Sequence, residues 1–62
     1  MQLTPDQIID DVLGGTVEAA KVFNISPAAI SQWRKDGIPV AREMYIRVVY
    51  RREVKRLEAE AA

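Results

Sequence analysis

The sequence contains neither cysteine nor histidine. Disulfides are thereby excluded, and a structural zinc site is deprived of its two usual ligands. Helix breakers are few, with three glycines and three prolines in 62 residues. No uninterrupted apolar run approaches the roughly 20 residues that a membrane span requires. Met1 to Asp11 carries acidic residues and no basic ones, the reverse of a secretory leader, so a soluble intracellular chain without a membrane partner is expected. A glycine-rich phosphate loop is also missing, as is the length to build a pocket with convergent catalytic groups. An enzyme, a cofactor and a small-molecule ligand are therefore not expected.

What is present is an ordinary globular composition, 48% hydrophobic and 29% charged. A chain this short reads as a single domain. It buries only roughly 60% of its unfolded surface, so its core comes from apolar helix faces or partly from a second subunit. The formal net charge is zero, which by itself argues against nucleic acid. The distribution says more than the total. Residues 1–20 hold Asp6, Asp10, Asp11 and Glu18 with no base, whereas all nine Lys and Arg fall within residues 21–56. That segregation allows a basic face.

Local signals divide the chain into helices over about 4–13, 16–23, 26–36 and 40–59, the last with a weak spot near 48–50. Thr4-Pro5-Asp6-Gln7 combines a cap, a first-turn proline and a capping box. Ile8, Ile9, Val12 and Leu13 follow as an apolar stripe, ended by Gly14-Gly15. Thr16 is a candidate cap for a short helix whose buried face holds Ala19, Ala20 and Phe23. Asn24 stands where the chain must turn, and Asn tolerates the left-handed conformation. Ser26-Pro27 repeats the cap-then-proline order, Gly37 stops that helix, and Pro39 starts the next. No strand pattern or internal repeat is visible. The chain reads as all-α.

Thr16 to Lys35 carries the functional signal. Two short helices joined by a turn of about three residues form a helix-turn-helix. Ala20 is the small residue needed where the second helix crosses the first. Ala19, Phe23, Ile25, Ile30 and Trp33 have the spacing to point between the helices, which makes Trp33 core rather than a stacking platform. Ala28, Ser31, Gln32 and Lys35 then share the opposite face. That face is slim and polar, as entry into a groove about 12 Å wide demands.

The segment Ile25-Ser26-Pro27-Ala28-Ala29-Ile30-Ser31-Gln32-Trp33, with the Gly37-Ile38-Pro39 step after it, resembles the turn and recognition helix of phage Cro repressors. The similarity is to their all-helical branch and to the related YdaS-like repressors, and it covers roughly residues 8 to 50. Lambda-type Cro proteins end in a β-hairpin, for which this chain has no strand. The resemblance implies a four- to five-helix, lambda-repressor-like DNA-binding domain with a central helix-turn-helix. It further implies a transcriptional repressor of phage or prophage origin, sited in the cytoplasm of a bacterial host and nucleoid-associated. Such a protein binds a palindromic double-stranded DNA operator as a dimer, weak in solution and strengthened on DNA, with helix 26–36 in the major groove.

Within that frame the residues take roles by their chemistry. Gln32 can bond an adenine edge at two points, Ser31 can bond several bases, and Ala28 can touch a thymine methyl, with Pro27 and Lys35 completing the base-contacting set. Thr16, Ser26 and Arg34 are candidate phosphate contacts, although Ser26 first serves as a cap. Arg42 and Arg47 either touch phosphates or line a solvated face. Arg51, Arg52, Lys55 and Arg56 are interleaved with Glu53, Glu58 and Glu60, and intrahelical pairing is the expected arrangement. Met44, Tyr45, Val48 and Val49 are expected to complete the core. Tyr50, Val54, Leu57 and Ala61 form a narrow seam that packs either on the first helix or on a partner; the first three are candidate dimer contacts. The competing function is a protein-interaction module or antitoxin-like regulator built on the same helices. It calls for apolar anchors on the face where Ser31, Gln32 and Lys35 stand.

Overall fold

The computed structural model describes residues 3–61, and the side chains of residues 3–60. Among the described residues there are five α-helices and no strand. These are α1 (Pro5–Gln7), which runs straight into a π-helical turn (Ile8–Val12), α2 (Thr16–Phe23), α3 (Pro27–Asp36), α4 (Val40–Val49) and α5 (Arg51–Ala61).

The capping box at the start of α1 is complete. Gln7 N–H donates to the Thr4 hydroxyl at 3.2 Å, and Thr4 N–H donates to the Gln7 side-chain oxygen at 2.9 Å. The helix then widens. Leu13 N–H bonds the Ile8 carbonyl, five residues back, at 3.1 Å. In an α-helix, five residues would place Leu13 about 140° around from Ile8. The i→i+5 bond stacks the two on one face, and both are buried together with Ile9. A core-facing stripe that a regular α-helix would split is thus kept whole.

The helix-turn-helix is built from the turn outward. Asn24 adopts the left-handed conformation at φ 54°, ψ 48°. Its N–H reaches the Lys21 carbonyl at 3.3 Å, and Ile25 N–H reaches Ala20 at 3.0 Å. This is the paired bonding of a Schellman ending, with Asn in the place more often held by glycine. Ser26 caps α3, accepting from Ala29 N–H at 3.2 Å. Ala19 and Ala20 are buried where α2 meets α3, and Phe23 packs edge-on against Trp33 with ring centroids 5.4 Å apart. Ile9, Ile30 and Ile46 are fully enclosed at the centre, each contributing about 1.5–3 kcal/mol by leaving water.

Three expectations are corrected. Gly15, not Thr16, is the N-cap residue of α2, and no side chain caps that helix. The segment 40–59 divides at the expected weak spot, at Tyr50, whose φ −108° and ψ 35° depart from helical values. The break turns α5 back against the π-turn, so the C-terminal seam finds its apolar partner inside the chain. Val54 is only 3% exposed, and Tyr50 and Leu57 pack partly buried on the same core; Val54 has no surface left for another subunit. The side chain of Ala61 lies outside the described residues. Finally, Met44, Tyr45, Val48 and Val49 do not complete the core. They are exposed, and Ile46 alone is buried from α4, because Leu3, the π-turn, Leu13, α2, α3 and α5 already supply the rest of the interior.

The charged run on α5 also differs from expectation. Among the described residues no ion pair joins Arg51, Arg52, Lys55 or Arg56 to a glutamate. Glu58 instead pairs with Arg47 across the α4–α5 junction at 3.3 Å, and Glu43 holds the same guanidinium at 3.3 Å. Burial opposes the Arg47 charge, but the bonds to Glu58 and Glu43 outweigh it and raise its pKa.

Candidate nucleic-acid interface

With 3.6 residues per turn, each step rotates a helix by 100°. On α3 that rotation gathers Pro27, Ser31, Lys35, Ala28, Gln32 and Asp36 into one half of the circumference, and all six are exposed. The other half contains Ile30 and Trp33, both buried, with Ala29 and Arg34 at its edges. All five residues expected to meet base edges therefore lie on a single continuous surface. It offers a hydroxyl, an amide, an ammonium group and two compact apolar groups, with no bulky side chain to keep a groove wall away.

Asp36 joins this surface without having been singled out from the sequence. Its carboxylate accepts a hydrogen bond from the Gln32 side-chain amide, one helical turn away. The i,i+4 spacing of an amide and a carboxylate was the available signal. The bond steadies Gln32 yet consumes only one of its two N–H donors. One N–H and the carbonyl oxygen stay free, the donor–acceptor pair that an adenine edge requires.

The expected phosphate contacts divide. Ser26 is exposed at the start of α3 and serves as its cap. Thr16 and Arg34 meet each other in a network that ties three helical segments together. Arg34 Nη1 donates to Asp6 at 2.7 Å and to Asp10 at 3.1 Å, and Nη2 donates to the other Asp10 oxygen at 2.6 Å. Nε and Nη2 donate to the Thr16 hydroxyl at 3.3 and 3.0 Å. A guanidinium has five N–H donors, and here every one has an acceptor within the chain. Arg34 is thus a strut from α3 to the first helical segment and α2, with its donors engaged inside the chain. Thr16, by contrast, only accepts in this network, so its own hydroxyl proton remains available.

The strut has an electrostatic consequence. Hydrogen bonds from Arg34 hold the Asp10 carboxyl below its ordinary value, with burial opposing. The same bonds to Asp10, and that to Asp6, raise the Arg34 pKa. Two of the four acidic groups of the N-terminal third are therefore engaged with a cation. Nothing in local sequence marks this arrangement, since Asp6 and Asp10 lie 28 and 24 residues from Arg34. Arg42 is likewise occupied, its guanidinium lying 5.3 Å from the centre of the Phe23 ring, a cation–π distance.

Comparison with known proteins agrees with this geometry. The family model described as DNA-binding transcriptional regulator Cro matches residues 4–60, a span that includes every helix start and the whole exposed face of α3. No curated protein and no solved structure gives a significant match. With nearly its entire length matched and a helix-turn-helix at its centre, the chain belongs to the Cro family of DNA-binding transcriptional regulators.

Proposed function

We propose that this regulator is a repressor that binds a two-fold symmetric operator as a dimer, with α3 in the major groove. The observation that carries the reading is the exposed half of α3, which presents Pro27, Ala28, Ser31, Gln32 and Lys35 on one slim polar surface. Gln32 and Ser31 read base edges, Ala28 and Pro27 make close apolar contact, and Lys35 reaches a base or a backbone oxygen. The Thr16 hydroxyl and the free amides at the start of α2 hold a phosphate, as helix N-termini do. Ser26 donates to a second phosphate while its oxygen keeps the cap. Two copies on adjacent major-groove faces stand about 34 Å apart, one helical turn of DNA.

Repression then needs no chemistry: occupying a promoter excludes polymerase. The protein works in the cytoplasm of a bacterial host carrying the phage or prophage, associated with its DNA. The interaction-module alternative calls for aromatic or aliphatic anchors on α3, and the exposed face has none.

Selection of bound sequences from a random DNA pool tests the reading, with Gln32→Ala in parallel. The expected result is an enriched palindrome, with preference relaxed at one position per half-site in the variant and a loss there of about 1–3 kcal/mol of discrimination. If low salt yields no enriched sequence, or if Gln32→Ala selects with unchanged stringency, the assignment of α3 as the reading helix fails.

A further inference from the structure

On α4, the same 100° rotation places Val40, Met44, Val48, Ala41, Tyr45 and Val49 on one continuous half of the helix. All six are exposed, Val40 and Val48 by about three quarters of their surface. No charged residue falls within this half. The charges of α4 sit on the other half around Ile46, with Arg47 held by Glu43 and Glu58 and Arg42 over the Phe23 ring. From this arrangement we infer that the outward face of α4 is the surface through which two copies of the chain associate. The inference deepens the dimeric reading proposed above, but it rests on this face and not on operator binding.

Three observations favour a second copy as the occupant. The first is shape. Val40, Met44 and Val48 recur every four residues and form one ridge, and such ridges pack into the grooves of an identical helix at a crossing near −50°. A two-fold axis through that crossing makes the patch its own complement. The second is area. The five large exposed side chains present on the order of 600 Å², so two copies bury at most about 1,200 Å², the lower end of a specific interface and the size for a weak dimer. The third is charge. A face with no free cation or anion brings two copies together without like-charge repulsion, whereas a face that meets DNA phosphates needs cations. The alternative surface for self-association, the seam at Tyr50, Val54 and Leu57, is already used inside the chain.

Sedimentation equilibrium from micromolar to millimolar chain tests the inference. The wild type should pass from monomer to dimer over that range. Val48→Asp should weaken the association by at least about tenfold, because a carboxylate would be buried without a partner. Ala59→Asp, which adds the same charge to exposed α5, should associate like the wild type. Val48 is mostly exposed, so thermal unfolding of the variant monomer should match the wild type and separate lost association from lost folding. A wild type that stays monomeric throughout, or a dimer indifferent to Val48→Asp, overturns the inference. The DNA reading fails separately. Selection without enrichment leaves the sedimentation result standing, and an enriched operator together with a Val48→Asp dimer of wild-type strength refutes the α4 face alone.

Discussion

Ile30 anchors α3, and its replacement measures how firmly that helix is held. The side chain is fully enclosed, so Ile30→Val removes one methylene from a space with no route to solvent. Lost transfer energy and the small residual cavity together cost about 0.5–1.5 kcal/mol. For a domain of this size each kcal/mol lowers Tm by about 4–8 °C, so a fall of about 2–12 °C is expected. Ile30→Ala costs about 2–5 kcal/mol. A chain of 62 residues has a total of only about 3–9 kcal/mol, so this variant should lose roughly half of its margin and melt well below Ile30→Val. Ser31→Ala, one position along and exposed, should stay within about 0.5 kcal/mol of the wild type. Urea and thermal denaturation followed by circular dichroism give all three values. An Ile30→Val variant as stable as the wild type, or a Ser31→Ala variant that loses more than Ile30→Val, would refute the inward assignment of Ile30 and with it the orientation of α3.

Other perturbations reach the remaining parts of the site. Asp10→Asn removes the carboxylate that grips Arg34. Because Asp10 binds its proton less readily when folded, its contribution is present above its unfolded pKa and is lost as pH falls through the folded value. The Tm gap between wild type and variant should therefore be present at neutral pH and close below about pH 4; a gap that persists into strong acid would rule out the ion pair as its source. Ser26→Ala takes the cap from α3 and should cost about 1 kcal/mol by urea denaturation, an effect that Ser26→Asp should largely restore. Lys35→Ala should weaken DNA binding and, if Lys35 contacts a phosphate, reduce the slope of log affinity against log salt by about 1 in a titration series. An unchanged slope with relaxed base preference assigns Lys35 to a base edge instead.

The parts of this protein that follow from near neighbours were open to reading. Caps at Thr4 and Ser26, the left-handed turn at Asn24 and the stop at Gly37 each depend on residues within one helical turn. The exposed arc of α3 follows from the rotation per residue once Ile30 and Trp33 are taken as inward. The Gln32–Asp36 bond was equally local, but an exposed amide four residues before a carboxylate is common enough to pass unremarked. The widened turn at Ile8–Val12 was not open in this way. Whether five residues make α or π bonds depends on which apolar side chains the rest of the molecule asks for, and here it asked for Ile8 and Leu13 together.

The same distinction separates what the sequence alone determined from what only tertiary structure decided. Most helix boundaries, the helix-turn-helix and the exposed arc of α3 were determined by the sequence, because capping geometry and helical rotation operate over three or four residues. Tertiary structure decided which of several apolar stripes won the interior. The stripe of α5 was taken in once the chain broke at Tyr50, and the broad face of α4 was left outside. It also decided that Arg34 braces the domain, by bringing Asp6, Asp10 and Thr16 to it from far along the chain. In so small a core there is room for few faces, and the competition among them is settled only when all the helices are packed at once.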